Sequence, residues 1–228
     1  MEERKALWND QQTYLREILM KPDRVEEAKE LCLKQHALVH CSEMSNSPTT
    51  TFEDELWEGL EEDAFRSAAG VKGRTVAYGM WHSSRIEDIT MNILVADRPQ
   101  VIDENNWQVK INASIYDTGN ELNSEKIAAF SANIQMQELR NYRMAVGRRT
   151  REIIAGLQQT DFKKKFQTEK LEHIFEIGAV SKDPAACWLV DFWGKKNVAG
   201  ILLMPATRHH MVHINESMTA KKKGMRGR

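Results

Sequence analysis

Little in this chain can cross-link it, and little can break its helices. Only three of its 228 residues are cysteine (Cys32, Cys41 and Cys187), and no two form a CxxC pair. So sparse and odd a count excludes a disulfide scaffold and suits a reducing compartment, so a cytoplasmic protein is expected. No run reaches the roughly 18 apolar residues of a membrane span. The N-terminal MEERKALWNDQQ lacks the apolar core of a secretory signal. The formal net charge is only -1 although 29% of the residues are charged. Bulk attraction to nucleic acid or to anionic lipid therefore has no basis, and neither partner is expected. GxSxG, P-loop and GxGxxG patterns are all missing. Proline (5) and glycine (12) are scarce, which leaves room for long helices.

What is present is helical periodicity. The stretch from Arg24 to Cys41 repeats buried-type residues at three and four, through Val25, Ala28, Cys32, Gln35 and Val39. A short helix is expected after Thr51, which has Asp54 in the capping-box position. A second long helix is predicted over 73–97, with Tyr78, His82, Ile86, Ile89 and Ile93 on one stripe, ending before Pro99. Residues 101–123 read as a long polar connection with brief extended pieces. The third and longest helix is predicted over 124–158, capped by Asn123 or Ser124. One or two shorter helices should follow over 160–180, packed down by Phe162, Phe166, Leu171, Ile174 and Phe175. A fourth long element lies within 197–220, kinked or restarted at Pro205. Leu202, Ala206, His209, His213 and Ser217 share its stripe. Four long helices with long connections predict an all-α domain, a four-helix bundle with accessory short helices. It is expected to be single over 1–228, with the bundle core at about 24–220 and a short, solvated basic tail, KKKGMRGR.

The chemistry concentrates in ATRHHMVHINES, where three of the seven histidines fall within five residues. His209 and His213, four apart, share one helix face, the spacing with which HExxH holds zinc. His210 points about 100° away and suits that centre poorly. A third ligand must come from another helix, and His82, on the core stripe beside Tyr78, is the candidate. Three histidines from two helices leave an open position for water or substrate. The competing reading makes His82 a hydrogen-bonded core residue and the HxxxH pair a solvated face. His36 and His40, also four apart, are a rival metal pair, and His173 reads as structural. Glu216, three residues past His213, is either a base or hydrogen-bond partner at that centre or a surface carboxylate. Arg208 either attracts an anionic substrate group or is simply solvated. Trp81, Trp188 and Trp193 line a pocket mouth or fill the core. Cys41 next to His40 does not make a nucleophile pair, because neighbours on a helix do not face each other.

At these positions the chain resembles the DinB-like family, the YfiT-type metal-binding four-helix bundles. There one histidine comes from the second bundle helix, often after a tryptophan; here MWHSSRIED supplies Trp81 and His82. The other two lie four apart in the last helix, commonly as HxxHHRGQ; here HHMVHINE supplies His209 and His213. The family's extra histidine is replaced by Val212, and RGQ by Ile214, Asn215 and Glu216. The resemblance implies a divalent metal of zinc or nickel type on three histidines, a small-molecule substrate and frequent homodimers. It also implies a low-molecular-weight-thiol S-transferase, using bacillithiol or mycothiol. A metal-dependent hydrolase with Glu216 as candidate base is the alternative, and a non-catalytic helical protein with a vestigial site is a third possibility.

Overall fold

A computed structural model describes residues 2–69 and 72–226, and among them the chain is all-helical with no strand. Pairing of the extended kind is limited there to two isolated bridges, Ala69 with Arg74 and Lys165 with Asn197. The first helix, α1 (Glu2–Ile18), lies ahead of the expected bundle. Trp8, Gln12, Leu15 and Ile18 form its buried stripe, and it packs along α2 (Val25–Leu38). That stripe is diluted by charge on every other face, which hid it from a reading by apolar periodicity alone. After α3 (Ser42–Ser45) comes α4 (Phe52–Trp57), capped as expected: Asp54 N–H donates to Thr51 Oγ1 and Thr51 N–H to Asp54 Oδ2. A further short helix, α5 (Glu62–Arg66), leads to the centre of the molecule.

That centre is α6 (Val76–Asp88), capped by Thr75 and continued by a π-helical stretch, Ile89–Ala96. Every residue of α6 is buried, including His82, Ser83, Ser84, Arg85, Glu87 and Asp88. The connection that follows holds α7 (Trp107–Ile111); its extended backbone, as at Glu104 and Asn123, pairs into no strand over 101–123. The single helix expected over 124–158 is two, α8 (Ser124–Asn133), capped by Asn123, and α9 (Met136–Gly156). Ile134 turns to ψ 129° between them and is fully buried. The groups freed by the break find tertiary partners: Arg66 Nη2 donates to Ile134 O (2.6 Å) and Gln135 N–H to Ile111 O (2.8 Å). With its end groups satisfied, a helix can stop without proline or glycine.

Next come α10 (Thr168–Glu176) and α11 (Pro184–Gly194), the latter not anticipated. The last element is α12 (Val198–Leu203), a π-helical stretch Met204–Arg208 containing Pro205, and α13 (His209–Arg226). Pro205 lacks an N–H, and the wider turn accommodates the break in the ladder. The basic tail is helical to Arg226 and solvated as expected at Lys222, Lys223 and Met225, but not at its first residue. Lys221 is buried, and its ammonium donates to Leu56 O (2.9 Å), Glu55 O (3.2 Å) and Glu58 O around the end of α4. A cation there complements a helix C-terminus.

Two apolar clusters flank a polar middle. One holds Ala77, Met80, Trp81, Tyr142 and Met211; the other holds Ile86, Ile89, Ile153, Leu189 and Leu202. Between them lie the polar side chains of α6 and those facing them from α2, α9 and α13. Charge there persists only because it is paired. Arg143 of α9 and Glu53 of α4, both 1% exposed, are 2.7 Å apart.

Candidate metal centre

The i, i+3, i+4, i+7 stripe of α6 fixes the first half of the site. Tyr78, Trp81, His82 and Arg85 donate to the carbonyls of Gly119 (3.1 Å), Asp117 (3.0 Å), Thr118 (2.8 Å) and Tyr116 (2.8 Å). One helical face thus satisfies four consecutive carbonyls of an irregular segment. The segment in turn decides the state of His82. A carbonyl only accepts, so His82 Nδ1 carries the proton and Nε2 presents its lone pair.

Helix α13 brings the other two imidazoles to that lone pair. Ring centroids of His82 lie 5.1 Å from those of His209 and 4.7 Å from those of His213. His209 and His213 are themselves 4.5 Å apart, with their Nε2 atoms 3.1 Å from each other. One ligand-type nitrogen from each of the three falls within 4.8 Å of the others, so the group could hold a metal ion. The approach depends on Gly79: a Cβ there would stand 2.8 Å from Ser217 Oγ and 3.9 Å from His213 Cβ.

The polar surroundings fit such an ion. His213 Nδ1 lies 3.1 Å from Glu216 Oε2 without the direction of a hydrogen bond, and His209 Nδ1 is likewise buried without a hydrogen-bond partner. An acceptor behind a ligand imidazole orients it and raises its basicity. Burial drives the His82 pKa down to about 4. It also holds His209 and His213 well below the usual histidine range, helped by repulsion from neighbouring imidazoles. All three rings are therefore neutral at pH 7 and able to donate electron pairs. Glu216 reaches the centre only from behind His213. Its two oxygens also accept from Arg74 Nη1, at 2.7 and 2.6 Å.

A pocket of about 340 Å³ opens on the three rings. Trp188, Leu189, Phe192, Trp193 and Val212 make its wall apolar, and Arg74 and Asn120 add polar groups. Among the described residues, no carboxylate lines it. Trp188, half exposed, stands at the pocket mouth and Trp193 backs the pocket from the core, whereas Trp81 belongs to the carbonyl-binding face. Arg208 is exposed, and His173, 3.5 Å from Glu176, lies at the surface. Burial pushes the Cys41 thiol up to about 11, which removes it as a nucleophile.

The rival pair also converges, on a partner that the sequence reading missed. His36 Nε2 lies 2.7 Å from Glu87 Oε1 and His40 Nε2 3.0 Å from Glu87 Oε2. His40 sits beyond the end of α2, not on it, and Val39 N–H closes that end on His36 O. His36, His40 and Glu87 form a second buried group that could hold a metal ion. Glu87 falls one residue off the apolar stripe of α6, where periodicity assigns a carboxylate to solvent. Only the complete burial of that helix turns it inward. His210 faces this second group, its Nε2 2.8 Å from Glu87 Oε2. No family model matches the chain, and no curated protein matches it either.

Proposed function

We propose that the chain is a divalent-metal-dependent enzyme of the DinB-like type, a low-molecular-weight-thiol S-transferase with its centre on His82, His209 and His213. Helix order supports this reading: α2, α6 with its π-helical extension, α9 and α13 follow one another as in such a bundle, with the 17-residue α1 added ahead of them, and the ligand positions fall on α6 and α13 as in that family. The observation that carries the choice of reaction is the pocket. It opens on the three imidazoles and, among the described residues, is walled by aromatic and aliphatic groups without a carboxylate. Hydrolysis needs a base beside the attacking water, and Glu216 is engaged behind His213 by Arg74. Thiol transfer needs no such base, because a zinc- or nickel-type ion, when bound, holds a thiol ionised at neutral pH.

The protein's own part is positioning. Three neutral imidazoles on two rigid helices leave one face open to the pocket. Trp188 and Phe192 wall the pocket against water, which suits an apolar electrophile. The test is conjugation of bacillithiol or mycothiol to an aromatic electrophile by metal-loaded, untagged protein. Saturable turnover is expected, lost on chelation and in His82→Ala. Equal rates in wild type and His82→Ala would refute the reading. Thiol-independent ester cleavage that requires His82 would favour the hydrolase.

A further inference from the structure

We infer that the polar core holds a second divalent cation, on His36, His40 and Glu87, in a closed site that pins α2 to α6. The three side chains are at most 1% exposed and come from α2, the turn after it and α6. The His36 and His40 rings stand 4.3 Å apart, and their Nε2 atoms face the two oxygens of one carboxylate. A hydrogen-bonded core explains His36, 2.7 Å from Glu87 Oε1, but not His40. Neither nitrogen of the buried His40 ring has a hydrogen-bond partner, and His36 Nδ1 has none. His40 Nε2 and Glu87 Oε2 are 3.0 Å apart without the direction of a hydrogen bond. Roughly 3 Å is also the ligand-to-ligand distance around an ion bound at about 2.1 Å.

The surroundings behave as the outer partners of a ligand set. Arg143 Nη1 lies 3.0 Å from His210 Nδ1, and a guanidinium has no acceptor. The His210 proton therefore sits on Nε2, 2.8 Å from Glu87 Oε2. His210 is thus a positioning residue for Glu87 and not a ligand. Gly147 of α9 keeps room for the His40 ring, since a Cβ there would stand 2.9 Å from His40 Nδ1. None of its three side chains lines the pocket that opens on the first centre. An ion held here has a structural part, with the bidentate reach of Glu87 completing its shell.

The second site stands independently of the enzymatic reading, and one experiment separates the two. Full-length untagged wild type, His213→Ala and His40→Ala are stripped, reloaded with Co²⁺ or Zn²⁺ and assayed for bound metal and Co²⁺ visible absorption. Two equivalents are expected in wild type and one in each variant. Zn²⁺ at a hundredfold excess over Kd should raise the Tm of His213→Ala by about 5 °C or more. If wild type holds one equivalent that His213→Ala loses, with no Tm response to Zn²⁺, the second site is refuted and the group is a hydrogen-bonded core. One equivalent that survives His213→Ala but not His40→Ala keeps the second site and refutes the first. Should His213→Ala fail to fold, His82→Gln takes its place, with the same outcomes.

Discussion

His82 Nδ1 donates to the carbonyl of Thr118 at 2.8 Å, and this one bond fixes which face of the imidazole is free. The carbonyl is held in place by its neighbours, since Gly119 O and Asp117 O are bound by Tyr78 and Trp81 from the same helix. Tyr78 also stacks on the His82 ring at 5.5 Å. Tyr78→Phe keeps the stack and deletes one anchor. It should cost about 0.5–1.5 kcal/mol of stability and weaken metal binding several-fold, as read by urea unfolding and metal titration. Unchanged metal affinity would show that the segment does not orient His82.

Glu216 Oε2 stands 3.1 Å behind His213 Nδ1, within reach of an orienting contact. Glu216→Ala should lower metal affinity by roughly 10- to 100-fold while leaving turnover per bound metal near wild type. A base in the reaction would behave the other way, with full metal occupancy and lost turnover. Metal-normalised kcat separates the two.

At Gly79, α6 comes close against Ser217 and His213 of α13. Gly79→Ala brings a Cβ to 2.8 Å from Ser217 Oγ. Overpacking of this kind costs about 1–3 kcal/mol, offset in part by the better helix propensity of alanine, about 1 kcal/mol. Ser217 Oγ has no hydrogen-bond partner, so Ser217→Ala should cost little and rescue the double variant. Additive losses in the double-mutant cycle would place the strain elsewhere.

Metal-free protein should lose stability as pH falls from about 6.5 to 4. Burial lowers the pKa of His82 and His210 to about 4, and those of His40, His209 and His213 well below the histidine range. Unfolded chains bind these protons near pH 6.5 while the fold refuses them, so the unfolded state gains protons first and ΔG falls with pH. A shift from 6.5 to about 4 is worth roughly 3 kcal/mol per group. Urea midpoints at pH 7.5 and 5 test this, and equal midpoints would contradict neutral buried rings.

Arg143 ties together α9, α4 and the end of α2, bonding Glu53 (2.7 Å), Ser83 (3.0 Å) and Val39 O (2.8 Å). Arg143→Met strands the Glu53 carboxylate in the core and should cost about 3–5 kcal/mol. Arg143→Met with Glu53→Gln should recover part of that loss. A loss below about 1 kcal/mol for the single variant would show that Glu53 takes up its proton or reaches water.

By itself, residue spacing determined the helical class, the Thr51–Asp54 capping box, a cap at Asn123 or Ser124 and the shared face of His209 and His213, and it left His82 as a candidate third ligand. All of these rest on contacts within a few residues or on one helix face, which periodicity records directly. Tertiary structure decided the rest. The stripe of α1 is too diluted by charge to stand out, and the break at Ile134 exists because Arg66 and Ile111 satisfy the freed backbone groups. Lys221 is drawn from solvent by carbonyls some 160 residues away. Glu87 and the carbonyls of residues 116–119 acquire their parts only because α6 is buried on every side. A chain read in order shows which groups share a helix face; only packing shows which face has no solvent left to meet.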